Sequence, residues 1–284
     1  MERIAVVTDT GSNLSFEQAK ELGIFLLPLQ ITIDDTTYQD TLEISTQDIY
    51  KELAKGKMPK TSMATYQRIY DLFEELKKEY DTVFAVPLTN GLSTNASTMQ
   101  SIARELEMNV HVIDLYSTCE LEKHVAVWIK KLVDENKSSE EILKIIQPAI
   151  DESNSLILVK NLQHLKRGGR LTPMAAALAG LLKIYPVLHI NKSTEGRIDV
   201  LNKVRTEKRA DAYAIDKVMD DINIEHTHIY IIHSDFLEGA NHFKKCFIEK
   251  GVPEQNIHID YISSVIAVHT GLGCIALQYI RKEN

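Results

Sequence analysis

Two adjacent hydroxyls, Thr61-Ser62, stand in a loop over 59–65. Such a pair can donate hydrogen bonds to a carboxylate or phosphate without bringing a fixed charge. The same residue types ahead of a helix serve equally as N-caps. A second set, Thr89-Asn90-Gly91-Leu92-Ser93-Thr94-Asn95, falls between a strand pattern and a helix pattern. Free backbone N–H groups and the helix dipole make that position an anion site, with Ser93 and Asn95 in reach, or simply a capped glycine turn. His269 lies in His269-Thr270-Gly271-Leu272-Gly273, inside an apolar stretch. It is either a core histidine with a polar partner or a donor to an anionic head group. Ser93 and His269 can in principle form a nucleophile–base pair. However, G-x-S-x-G is absent and nothing nominates a third member. Lys166, Arg167 and Arg170 sit in a glycine turn, and Lys203, Arg205, Lys208 and Arg209 follow a strand pattern. These are solvated surface or a docking site for a phosphate-bearing partner. No metal-ligand spacing and no phosphate-loop sequence occurs, and the lone G-x-G at 271–273 is too weak to imply a nucleotide.

The elements that must position these groups alternate in the first half. Residues 4–8 read as a strand ending in the polar turn DTGSN. Ser15 and Gln18 have capping-box spacing and open a helix that Gly23 closes. A β-branched strand is predicted over 24–33, a helix from 45–48 to Gly56, and a second helix over 66–78. Strands at 82–86 and 110–114 and helices at 96–107, 121–135 and 140–152 complete the half. Strand, loop, helix, strand at this spacing predicts a parallel sheet covered on both faces, with its polar loops along one carboxyl edge. The second half predicts a strand at 156–159, an alanine-rich helix over 173–182, and paired strands at 185–190 and 198–204 around a turn at 192–196. A helix at 206–221, a strand at 228–233, a helix at 237–250, a strand at 256–261 and a terminal helix follow. Hairpins among helices predict a mixed sheet. The fold class is therefore α/β in two domains, 1–154 and 155–284.

The composition bounds the function. The chain has 284 residues, of which 44% are hydrophobic and 25% charged, with a net charge of −8. That is a globular protein, and the acidic balance argues against nucleic acid or an anionic membrane as partner. Cys119, Cys246 and Cys274 form no C-x-x-C, so a reduced cytoplasmic protein is expected. Residues 261–280 carry no Lys, Arg, Asp or Glu and approach bilayer-spanning length, but His269, Gln278 and several hydroxyls favour a buried soluble segment.

In order along the chain, the motifs resemble those of the DegV family of bacterial lipid-binding proteins, and among them the fatty-acid-binding subunits of bacterial fatty acid kinases. Val7-Thr8-Asp9-Thr10-Gly11-Ser12-Asn13-Leu14 resembles the opening V-T-D-S-T-S-D-L. Pro28-Leu29-Gln30-Ile31-Thr32-Ile33 with Tyr38-Gln39-Asp40 matches the next block. Thr61-Ser62 stands at T-S-Q-P and Gly91-Leu92-Ser93 at S-G-L-S-G-T. Leu165-Lys166-Arg167-Gly168-Gly169-Arg170, Arg205-Thr206 and His269-Thr270-Gly271 match the later motifs. Two departures stand out: Met63-Ala64 replaces Gln-Pro, and Thr94-Asn95 replaces Gly-Thr.

The resemblance implies one long-chain fatty acid between two domains, its acyl chain in an apolar tunnel that the 174–182 segment can line. Its carboxylate would lie near Thr61, Ser62, Ser93, His269 and Thr270. It implies a carrier, not a catalyst, with no cofactor, that presents the carboxylate to a separate ATP-dependent kinase subunit for acyl-phosphate formation. Arg205 would serve kinase docking or head-group presentation, with Arg170 as a further rim residue. The free protein is expected to be monomeric, with at most transient membrane contact. Two alternatives remain at this level: a lipid or acyl-ester hydrolase using Ser93 and His269, and a regulatory carrier of another small amphiphile.

Overall fold

A computed structural model describes residues 2–181 and 183–283. In the first half, β1 (Ile4–Asp9) is buried throughout and α1 (Phe16–Leu22) opens on a complete Ser15/Gln18 capping box. Gly23 closes α1 with φ 66°, in the left-handed region that glycine enters without penalty. Then come β2 (Phe25–Leu27), β3 (Gln30–Ile33), β4 (Thr36–Gln39), α2 (Thr46–Ala54) and β5 (Lys60–Ser62). α3 (Tyr66–Glu79), β6 (Thr82–Val86), α4 (Asn95–Glu105), β7 (Val110–Val112), α5 (Glu120–Asp134) and α6 (Ser139–Glu152) follow. α3 starts on its Thr65 cap and turns Ile69, Phe73 and Leu76 into the core. These are i, i+4, i+7 positions, and burying such side chains is worth roughly 1.5–3 kcal/mol each.

The second half contains β8 (Asn154–Leu158), α7 (Leu162–Arg167), α8 (Pro173–Leu178), β9 (Tyr185–Ile190), β10 (Asp199–Val204) and α9 (Glu207–Asp221). It ends with β11 (Thr227–His233), α10 (Leu237–Glu249), β12 (Ile257–Tyr261), α11 (Ser264–Thr270) and β13 (Ile275–Arg281).

These elements form an α/β fold with three sheets. The first is parallel, in the order β2-β1-β6-β7. The second is mixed, in the order β10-β9-β8-β13-β11-β12, and contains the expected β9–β10 hairpin. The third is a small antiparallel sheet, β4-β3-β5, which carries Thr61 and Ser62.

Two expectations are corrected. The single strand over 24–33 is two strands in different sheets. β2 pairs parallel with β1 and β3 pairs antiparallel with β4 and β5. Pro28 lies at the break, where it can donate no ladder bond. The terminal helix is also wrong beyond Thr270. Gly271 and Gly273, both with φ near 75°, turn the chain out of α11 and into β13, the strand between β8 and β11. The apolar run is thus a short helix plus a strand buried on both faces. Among the described residues, no helix is long and apolar enough to cross a membrane. The alanine-rich helix ends at Leu178, and the remainder of its expected span reaches Leu182, which lies outside the described residues.

Both halves contribute to one apolar cluster, in which Leu29, Ile31 and Leu88 meet Ile157, Ile198 and Val265. Polar bonds reinforce the junction. The Gln278 side chain accepts from the Glu120 backbone N–H at 3.1 Å and donates to the Thr118 carbonyl at 2.9 Å. Tyr50 Oη donates to the Ile262 carbonyl at 2.7 Å.

Candidate functional site

The loop that follows β6 is held from both neighbouring strands. Asp9, the last residue of β1, is fully buried. Its Oδ2 accepts from Leu88 N–H at 2.9 Å and Asn95 Nδ2 at 2.6 Å, and its Oδ1 accepts from Gly11 N–H at 2.8 Å. Asp114, just beyond β7, accepts from Thr89 Oγ1 at 2.7 Å and Asn90 N–H at 3.2 Å. Asp9 ties together the two ends of 88–95 and Asp114 holds its first residues, as the strand order β1-β6-β7 allows. Glu122 is buried beside Asp9. Burial raises both carboxyls, but the N–H donors oppose this at Asp9, whereas the neighbouring Asp9 charge drives Glu122 well above the ordinary range. Glu122 therefore keeps its proton and Asp9 carries the charge.

Ser93 sits at the tip of this loop. Its Oγ accepts from Asn95 N–H at 3.1 Å, which leaves its own proton free to donate. The Asn95 side chain turns inward to Asp9, whereas Thr94, which stands at the motif's glycine, is exposed and lines the cleft. Thr94 donates to Met63 Sδ at 3.3 Å, so the two departures touch each other.

Thr61 and Ser62 are strand residues, and Thr65 caps the helix that follows. Neighbours on a strand face opposite ways, and the two hydroxyls part accordingly. Thr61 Oγ1 lies 2.7 Å from His269 Nε2, whereas Ser62 donates to Gln30 Oε1 at 3.0 Å. His269, on the last turn of α11, packs against Gly168, where a Cβ would come within 3.0 Å of Nδ1. Burial, with the Arg170 cation second, lowers the imidazole pKa to about 4, so the ring is neutral at pH 7. Among the described residues Nδ1 has no side-chain hydrogen-bond partner and faces the Gly168 backbone. The Thr61 hydroxyl is thus the ring's polar anchor. Thr270, the next residue, donates back to the Ile266 carbonyl at 3.3 Å.

The second half reaches the loop through a glycine–glycine contact. A Cβ on Gly91 would fall 2.1 Å from the Gly196 carbonyl oxygen, and one on Gly196 would fall 2.1 Å from Thr89 Oγ1. Only glycines let these backbones touch. The contact delivers Arg197, next in sequence, to the same rim. Arg170 enters from the turn after α7, with Nη1 donating to the Gly168 carbonyl at 2.7 Å and Nε to the Leu92 carbonyl at 3.5 Å.

These residues enclose a cleft of about 490 Å³, within the ~300–1,000 Å³ range of small-molecule sites. Thr61, Ser62, Ser93, His269, Thr270 and Arg170 all line it, with Asn90, Thr94 and Arg197. Leu29, Leu88, Leu92, Ile198, Val265 and Ile266 supply an apolar side continuous with the cluster shared by the two halves. Among the described residues no Asp or Glu lines the cleft, and neither Arg170 nor Arg197 pairs with a carboxylate. The cleft therefore favours an anionic head with an apolar body.

Not every sequence candidate converges here. Arg205 is exposed at the end of β10 and does not line the cleft. No hydrogen bond joins Ser93 to His269, whose Nε2 is engaged by Thr61. Arg197 went unnoticed in the sequence, since an arginine after a turn glycine looks like ordinary surface. Asp9 and Asp114 could have been flagged as the acidic residues at the ends of neighbouring strands.

The comparisons agree with this architecture. The family profile described as "Uncharacterised protein, DegV family" matches residues 3–282. A DegV domain-containing protein of Halalkalibacterium halodurans is 32% identical over 99% of this chain and 100% of its own length. Among solved structures, a fatty acid binding DegV family protein from Streptococcus agalactiae superposes with a TM-score of 0.91 at 28% identity, covering 100% of both chains. DegV from Bacillus subtilis, described as a fatty acid binding protein, superposes with a TM-score of 0.87 at 26% identity, covering 99% of this chain and 100% of its own.

Proposed function

The chain belongs to the DegV family, and from that premise we propose that it binds one long-chain fatty acid and presents the carboxylate to a separate ATP-dependent kinase. The observation that carries the reading is the carboxylate-free cleft, in which Arg170, Arg197, Ser93 and the Thr61–His269 pair face an apolar wall. Fatty acid binding by the related proteins from S. agalactiae and B. subtilis supports it.

The acyl chain supplies the affinity. A C16 tail at ~0.8 kcal/mol per buried methylene gives on the order of 10 kcal/mol of gross driving force. The head group has to be oriented. With the proton on His269 Nε2, the ring donates to Thr61 Oγ1, and Thr61 passes its own hydrogen to one carboxylate oxygen. Ser93 donates to the same group, and the guanidinium groups of Arg170 and Arg197 balance its charge. In phosphoryl transfer a carboxylate oxygen attacks the γ-phosphorus of ATP, ADP leaves, and an acyl phosphate remains on the carrier. The two arginines then suit the added phosphate charge. Arg205, exposed away from the cleft, is assigned to kinase docking. We divide the chain into domains 1–154 and 155–284, a boundary supported by the mixed sheet's first strand beginning at Asn154.

The test is a head-group series on a constant tail. Palmitate, hexadecanol and palmitamide are titrated into the delipidated protein. Palmitate should bind at least about tenfold more tightly than either analogue, the discrimination expected of charge-assisted bonds. Equal binding of the three would overturn the head-group assignment.

A further inference from the structure

The opposite face of the mixed sheet carries a second cavity, of about 530 Å³. Residues alternate along β8 and β13. Ile157 and Ala276 face the cluster behind the head-group cleft, whereas Leu158 and Ile275 face α9 and α10. Leu158, Ile275, Ala210, Phe236 and Phe243 form an apolar floor. The position of Phe236 is built in, because a Cβ on Gly239 would lie 2.2 Å from its ring.

Three carboxylates surround that floor, Glu207 and Asp211 from α9 and Glu238 from α10, against one lysine, Lys160. The sign of charge is thus opposite to that of the head-group cleft. The Asp211 side chain is half-buried, and its carboxylate makes no hydrogen bond or ion pair with any described residue. Burial lifts its carboxyl above the ordinary range, opposed by nearby His242 and Lys160. Lys160 shows what the site accommodates. Its ammonium lies 4.7 Å above the centroid of the Phe236 ring and pairs with Glu207. An aromatic face beside a carboxylate is the recognition chemistry of ammonium groups, and here a side chain of the protein itself supplies the cation.

We propose that this cavity binds a small organic cation, an ammonium or quaternary ammonium group on an apolar body. The cation sits over Phe236 between Asp211 and Glu207, displacing the Lys160 ammonium, and the apolar body lies on the Leu158–Phe243 side. Long-chain carboxylates are excluded by the three acidic residues, so the two cavities take ligands of opposite charge.

Calorimetric titration of the full-length protein with benzyltrimethylammonium tests this, with benzoate as the charge-reversed control. Saturable binding of the cation and none of benzoate is expected. Asp211→Asn should weaken the cation about tenfold while leaving melting temperature and palmitate binding unchanged. Lys160→Met keeps the methylene stem against the Gly273 turn and removes the internal ammonium, so it should tighten binding. Failure of the cation to saturate by about 10 mM, equal binding of benzoate, or an Asp211→Asn variant that binds as well as wild type overturns the proposal.

Discussion

Thr61 Oγ1 and His269 Nε2 lie 2.7 Å apart although 208 positions separate them in the chain. One comes from an edge strand of the small sheet in the first half, the other from the last turn of a short helix in the second. A hydroxyl oriented by a neutral imidazole has a fixed direction for its remaining hydrogen. That makes it a selective donor, unlike its neighbour Ser62, which is spent on Gln30.

Thr61→Val preserves shape and removes this donor. We expect palmitate affinity to fall about tenfold, the net value of one such hydrogen bond, and the melting temperature to drop as well, because the buried His269 Nε2 loses its partner. Ser62→Ala should leave affinity unaltered. Displacement of a fluorescent fatty acid measures both, and equal losses in the two variants would contradict the assigned orientations.

Gly91→Ala places a methyl group 2.1 Å from the Gly196 carbonyl oxygen, where neither backbone can yield cheaply. A loss of about 2 kcal/mol or more is expected, together with weakened palmitate binding, because the collision parts Ser93 from Arg197. Thermal melting and ligand titration on the same variant check both effects.

Asp9 and Glu122 should respond unequally to loss of charge. Asp9→Asn keeps one acceptor oxygen but turns its amide NH2 toward the donors on the other side, either Gly11 N–H or the Leu88 N–H and Asn95 side chain, and it removes the charge, costing about 3 kcal/mol. Glu122→Gln replaces an acid that already carries its proton and should cost less than about 1 kcal/mol. Chemical denaturation of the two variants measures the difference, and the opposite ranking would place the proton on Asp9.

His124 is buried, with Nδ1 2.8 Å from Tyr230 Oη, and burial lowers its pKa to about 4. The unfolded chain takes up this proton near pH 6.5 and the folded chain near 4. Its contribution is therefore complete above pH 6.5 and drains away as the pH falls toward 4. The full loss amounts to about 3 kcal/mol. Buried Asp40 and Glu120, raised by desolvation to about 6 and about 7, act in the opposite direction. The informative quantity is accordingly the difference from His124→Gln. That variant should lose less stability between pH 6.5 and 4 than wild type, and identical slopes would refute the assignment.

The parallel sheet was legible in the sequence because strands, helices and caps such as Ser15/Gln18 are local signals. The cleft was legible in part. Thr61, Ser93, His269 and Arg170, candidates by residue type and family resemblance, line one cleft. Their orientation was not readable. Thr61 and Ser62 face apart because of a strand, β5, too short and polar to show a pattern. Arg197 depends on a contact between Gly91 and Gly196 that no local signal encodes. The terminal helix expected after 256–261 stops at Thr270, because uniform apolarity hides the change of period at Gly271 and Gly273.

The most direct measurement is native mass spectrometry of the purified protein, followed by solvent extraction and identification of whatever is released. A one-to-one adduct that resolves into a long-chain fatty acid, or stoichiometric uptake of added palmitate by protein isolated without it, is expected. An unliganded mass that neither palmitate nor oleate shifts would contradict the carrier function while leaving the fold as described.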